Sequence, residues 1–320
     1  MRMTMQVGMW LVLMASVLAP SLSLAQDGPP PEVPGRVESD PQLAAASRAW
    51  HDAWRAHVEV HLRTVAARGT ARDLLVAGWL WPRSDDDADT QARAWLQAAH
   101  AASRGDDPLV DWALLDACAT NDARCDRSLL LQRLMAADPG NAELLLAAYA
   151  DAVQRRDMAA AERYWQAAAA ATHYRTHFSV GLLMATTLRQ VPAPPLDPAL
   201  AAAIGEDLGI GRAATPQDMA DVAVMAITAA IAIPTLQPIM QRCRAKVGAL
   251  PADARTACKR IYTLLAADDS IVIGPAIALP QLVQWADGDV EREAARERLR
   301  QFAWVYENVM QLYQRPAAAR

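Results

Sequence analysis

The sequence predicts an all-α protein: stacked antiparallel helical hairpins first, then a more compact helical second half. Three observations predict it. Apolar residues recur at helical spacing, as in Trp50, Trp54, Val58 and Leu62. Cap signals punctuate the chain, either Asp-Pro or a Thr with an acid three residues on. Alternation at period two is rare, and no Asn-Gly or Asp-Gly turn lies between β-branched runs, so strand hairpins have no signal.

The first element is expected to be removed. One charge, Arg2, precedes the apolar run "VGMWLVLMASVLA", and "SLA" at residues 23–25 is a small-x-small site. That layout predicts a secretory signal peptide over residues 1–25, cleaved after Ala25. The run is too short to span a bilayer, which takes about 20 apolar residues. Residues 26–39 are rich in Pro and Gly and predict a flexible lead-in. Without residues 1–25 the formal charge moves from −5 to −6, since only Arg2 is lost. A mildly acidic chain offers no basic footprint for nucleic acid.

Residues 40–190 predict the hairpin region. Asp40-Pro41 opens the helix that carries Trp50 to Leu62; Thr70 with Asp73 opens the next; Asp107-Pro108 opens "LVDWALLDACA". Four cysteines follow the leader. In an exported chain an even count predicts disulfides, and the two local pairings are expected: Cys118–Cys125 around a polar turn, and Cys243–Cys258 around "GALP". Zinc knuckles need closer spacing than these pairs have.

Within residues 142–155, Leu145, Ala148, Tyr149, Ala152 and Val153 share one helix face. Within 158–171, Ala161, Tyr164, Trp165, Ala168 and Ala169 do the same. Two such helices joined by "QRRD" form an antiparallel pair, with Ala on the inner faces permitting close approach. The pair resembles a tetratricopeptide repeat over about residues 139–172. Pro139 and Asn141 precede the first helix, Ala161 comes early in the second, and Trp165 and Ala168 follow it at the family's spacing. Tyr149, beside Ala148, departs from the small residue usual there. One period upstream, Arg127 stands where Ala is usual. The resemblance implies a stack of helical hairpins and a concave surface that holds peptides or protein segments.

Four prolines in "VPAPPLDP", residues 191–198, predict a stiff connection and a soft boundary. Asp197-Pro198 opens a short segment, and "GEDLGIG", 205–211, reads as a turn. Thr215-Pro216 with Asp218 opens an almost wholly apolar helix, expected over 216–233 and ended by Pro234, as the centre of the region 199–315. "SIVIG", 270–274, is strand-like but too short to change the class. The last helix carries Leu299, Phe302, Tyr306, Val309 and Tyr313 as a stripe behind a Glu/Arg front end; residues 316–320 are a tail.

Candidates for chemistry are few. His57 and His61 share a helix face and could grip a metal, but Val58 stands where a metalloprotease has its Glu, and no third ligand is near in sequence. His173 and His177 repeat the spacing. Asp85, Asp87 and Asp89 alternate as in a calcium loop, but Thr90 and Leu96 occupy the Gly and Glu places; an acidic loop with Asp89 as a helix cap is expected instead. There is no G-x-S-x-G elbow and no phosphate loop. Most of the Trp are expected in the core, because only two Phe are available to fill an Ala-rich interior. The expected function is therefore that of a periplasmic or secreted, non-enzymatic repeat protein. It would have no catalytic residues and no cofactor, and would bind an unidentified protein or peptide. The alternative is an enzyme or small-ligand binder with a pocket between hairpins, and a lesser one a metal carrier using His57 and His61.

Overall fold

The computed structural model describes residues 35–82, 86–118, 125–176, 180–243, 250–268 and 272–314. The expected signal peptide, most of the lead-in, the tail, His177 and Asp85 lie outside these. The fold is all-α. In chain order the described helices are α1 (Arg36–Ser39), α2 (Pro41–Ala66), α3 (Ala71–Leu80), α4 (Asp86–Ser103), α5 (Pro108–Ala117), α6 (Arg127–Ala137) and α7 (Ala142–Gln154). They continue with α8 (Met158–Ala169), α9 (Val180–Leu188), α10 (Pro198–Asp207), α11 (Pro216–Arg242), α12 (Ala252–Leu265), α13 (Ile273–Gln284) and α14 (Asp289–Gln314). Among the described residues no β-strand forms; one isolated bridge joins Asn141 and His173. In the strand-like patch, Val272 leads into α13, which takes in Ile273 and Gly274; residues 270 and 271 lie outside the described residues.

The caps expected from sequence form. Asp40 accepts from the amides of Gln42 and Leu43, Thr70 from Asp73, Asp107 from Leu109, and Asp197 from Ala199 and Leu200. Thr215 and Asp218 cap each other reciprocally at the start of α11. Asp89 is a correction: α4 begins at Asp86, so Asp87 and Asp89 lie inside the helix. Pro234 is another. The helix runs on through Pro234 and Pro238 to Arg242. A proline removes one amide donor but tolerates a helix whose packing holds it, and the far end of α11 is anchored by buried Leu236, Ile239 and Cys243.

Consecutive helices pack on one another from α2 to α8 and again from α11 to α14. Between these runs, α9 packs on α3, α10 on α1 and α2, α11 on α7, and α12 on α8. Residues 180–214 therefore fold back over the first half, and the α11–α12 pair lies against the α7–α8 pair. Two large apolar clusters result. The first joins Leu62, Leu75, Leu96 and Leu114 to Met184, Leu200, Ala214 and Met219. The second joins Leu146 and Trp165 to Leu236, Ile239, Ile261, Leu279 and Leu299. Helix α7 gives Leu144 and Ala148 to the first and Ala142 and Leu146 to the second; α11 likewise serves both.

The prolines at 191–198 therefore do not divide the core. Val191 is buried, Leu196 packs on the first cluster, and the segment straps α2. Trp50 Nε1 donates to the Pro194 carbonyl at 2.9 Å, and His57 Nδ1 donates to that of Pro192 at 2.6 Å. A stiff segment with free carbonyls suits this use. The end of the expected lead-in is also ordered. The Asp207 carboxylate accepts from the amides of Arg36 and Val37, capping α1 from another element, and Glu206 pairs with Arg36 at 2.6 Å.

Candidate functional site

The α7–α8 pair holds the residues expected to pack a repeat. Ala148, Ala161, Trp165 and Ala168 are buried, while Leu145 and Tyr149 are half-buried against the second cluster. The α7 face is a correction. Leu144 and Leu146 are sealed in the two clusters, whereas Val153, expected in the stripe, is exposed. Helix α7 is covered on more than one side because α11 packs on it.

Three polar joints fix this pair. At one end, Asn141 caps α7 through the Glu143 amide, and its side chain donates to Asp138 and to the carbonyl of Arg175. The Arg175 amide donates back to it at 3.1 Å. His173 Nε2 lies 3.0 Å from Asp138 and its Nδ1 3.0 Å from Thr172 Oγ1, so both ring nitrogens are engaged. The segment "HYR" lies outside any helix, so His173 is not on a helix face. Next along, Thr176 donates to buried Asp268 at 2.9 Å, tying this loop to the end of α12.

At the other end, Asp151, 2 % exposed, meets Arg127 Nε and Arg155 Nε at 3.0 Å each. Arg127 Nη1 also donates to the carbonyls of Leu115 and Cys118 at 2.6 Å, closing the end of α5. Arg127 thus serves a buried acid on the next hairpin. On the flank, the Arg242 guanidinium sits over the rings of Trp165 (4.6 Å) and Tyr149 (5.5 Å) and pairs with Glu162. A fourth joint binds the preceding hairpins: buried Asp111 meets His100 Nδ1 at 2.7 Å and Arg133 Nε at 3.3 Å. Sequence reading missed Asp111 and Asp151. The signal was present, since each is an acid between apolar neighbours in a helix, and such an acid is buried only when paired.

Cys118 pairs with Cys125 and Cys243 with Cys258, at Cα–Cα distances of 6.0 and 5.8 Å, as the local pairing predicts. The first bridges α5 to α6 and the second α11 to α12. His57 and His61 have different surroundings. His57 spends Nδ1 on the strap, whereas His61 Nε2 is buried without a partner. Desolvation pushes His61 below the usual imidazole range, and the charge of Arg68 adds to this. A neighbouring cation opposes a metal ion at that ring. Among the described residues no group of three or more His, Cys, Asp and Glu is placed to hold a metal. No described helix is long and apolar enough to cross a membrane. Among the described residues seven Trp fill the interior: Trp50, Trp54, Trp79, Trp81, Trp112, Trp165 and Trp285.

Asp111, Asp151 and Asp268 are held by arginine, histidine or threonine partners that join one element to another, an arrangement suited to fixing hairpins together. Compared with known proteins, the chain matches no family model, no curated protein and no solved structure.

Proposed function

We propose that this chain is an exported, non-enzymatic helical repeat protein, tetratricopeptide-like over residues 139–172, that binds a protein or peptide partner. One observation carries the reading. Gly69, Gly105 and Gly140 all have positive φ, stand 36 and 35 residues apart, and lie one or two residues before the capped start of α3, α5 and α7. Each of these helices opens a hairpin, with α4, α6 and α8 as second members. Left-handed backbone at a fixed interval is the mark of a repeated turn, and the interval is close to the repeat period of about 34 residues. The Asn141–Arg175 link, 34 residues apart, supports the same period. Export is supported by two short-range disulfides, which suit an extracellular or periplasmic compartment.

Helices α3 and α5 are buried almost all round, because residues 180–220 supply apolar side chains to their cluster. The surface left to a partner is that of the second helices and hairpin tips, where Leu129, Val153 and Met158 are exposed. The test is site-specific photo-crosslinking in the producing cell from positions 129 and 158, with Val290, 89 % exposed, as control. One defined partner should be caught from 129 and 158 but not from 290, and Leu129→Glu should abolish the capture. No partner from either position, together with a small molecule that raises the melting temperature, would move the reading to a ligand pocket between hairpins.

A further inference from the structure

The two disulfides differ in setting. Cys243 and Cys258 are each 1 % exposed and sealed in the second cluster. Cys118 is buried at the end of α5, but Cys125 is only half-buried, at the margin of the first cluster. The Cys118–Cys125 bridge also adjoins one of the joints described above. Cys118 supplies a carbonyl that accepts from Arg127 Nη1 at 2.6 Å. Cys125 lies two residues before Arg127, and between them Asp126 caps α6 by accepting from the Leu129 amide. The bridge thus sets the distance between the carbonyl and the guanidinium that binds it. Arg127 in turn holds Asp151 on α7, the helix that contributes to both clusters.

We propose that Cys118–Cys125 is a redox-sensitive fastener, through which a dithiol reductant loosens the joint between the α5–α6 and α7–α8 hairpins. A thiolate of the reductant attacks Sγ of Cys125, the less buried of the two residues. The S–S bond breaks, and Cys118 leaves as a thiolate and takes up a proton. The second thiol of the reductant then displaces Cys125 from the mixed disulfide. The cystine gains two electrons and two protons, and the dithiol becomes a disulfide. With the bridge open, the covalent link that holds Cys118 at the end of α5 beside Cys125 at the start of α6 is gone. The Arg127 guanidinium then no longer has the Leu115 and Cys118 carbonyls fixed beneath it. Asp151 keeps Arg155 as its one anchored partner, and α7 loses its polar tie to the earlier hairpins, keeping the apolar contacts of Leu144 and Ala148. The sealed Cys243–Cys258 bridge stays closed, so the α11–α12 pair and Arg242 keep their places.

The test is reduction of the full folded protein with dithiothreitol at neutral pH. Thiol labelling with mass mapping identifies which cysteines open, and hydrogen exchange follows the α7 amides. Cys118 and Cys125 should label first, with Cys243 and Cys258 still closed, and α7 exchange should quicken about tenfold while the α12 amides keep their protection. Arg127→Met should show fast α7 exchange before any reductant is added, and reduction should add nothing further. The proposal is overturned if Cys243–Cys258 opens first, or if both pairs open only on global unfolding. It is equally overturned if α7 protection survives reduction, or if reduction still loosens α7 in Arg127→Met.

Discussion

Asp151 shows how single residues set this fold. Its carboxylate is almost wholly out of water and is compensated by two guanidinium groups from different elements. Removing the acid leaves Arg127, largely buried, without its counter-charge, and losing one partner of a buried pair costs about 3–5 kcal/mol. Asp151→Ala is therefore expected to destabilise the protein by about 3 kcal/mol, read as a lower denaturant midpoint; a loss below about 1 kcal/mol would show that Arg127 relaxes to water. His61 works in the opposite sense. Its folded-state pKa is lowered, by desolvation first and Arg68 second. As pH falls below about 6.5, the unfolded chain takes up a proton that the folded chain refuses. The unfolded state then binds more protons, so stability declines from neutral pH until the depressed folded value is passed, and levels off below it. His61→Leu should flatten this decline between pH 7 and pH 5 in a series of thermal melts, and an unchanged slope would assign the decline to other groups. Neither role was legible as a role. Asp151 could be seen as an acid out of place in "LLLAAYADA", but its partner Arg127 lies 24 residues upstream, a contact no local pattern encodes.

Helices were the most legible level, because their signals are local. An Asp or Thr that accepts an amide bond, a proline at the first position and a stripe at helical spacing all act within one or two turns. Those signals placed α2, α3, α5, α10 and α11 at their starts. Ends read less well: α11 passes two prolines because its far end is buried against α7 and α12, and burial comes from elsewhere in the chain. The α10 helix carries a tighter constraint that composition hides. A Cβ placed on Gly205 would lie 1.9 Å from the carbonyl oxygen of Arg212, and the same turn is tied by Ala214 N to Ala201 O at 2.8 Å. Backbone cannot yield as a flexible side chain can. Gly205→Ala should therefore displace the 209–214 turn and cost about 1–3 kcal/mol, the usual range for overpacking a tight contact. A melting temperature equal to that of the parent would mean that the turn shifts freely. Read as part of "GEDLGIG", this glycine looked like one more turn residue, whereas it lies inside a helix at a close backbone approach.

At the scale of the molecule, hairpin order alone does not describe the protein, because residues 180–220 return to the first half and α7 and α11 serve both clusters. The all-α class was legible, since it sums many local signals. The return path was not, since it depends on which apolar faces find each other. The prolines at 191–198 mark the place where the chain turns back, and they read as a boundary because stiffness alone does not reveal whether a segment spans two bodies or straps one. The distinction has a measurable consequence. If 191–198 separated two units, residues 35–190 would fold alone. The structure gives them an incomplete core: Leu200, Ala203, Ala214 and Met219 come from beyond the strap, and Ala142 and Leu146 of α7 would lose Leu236 and Ile239 from their cluster. Each missing buried aliphatic side chain removes about 1.5–3 kcal/mol of apolar burial, so the loss of several rivals the whole stability of a domain, about 5–15 kcal/mol. A 35–190 fragment is thus expected to lack a cooperative thermal transition and to bind a hydrophobic dye, while the intact chain unfolds in a single step seen alike by Trp fluorescence and helical circular dichroism. A sharp, dye-silent melt of the fragment would restore the boundary at the prolines and make the 180–220 contacts an addition to an independent array.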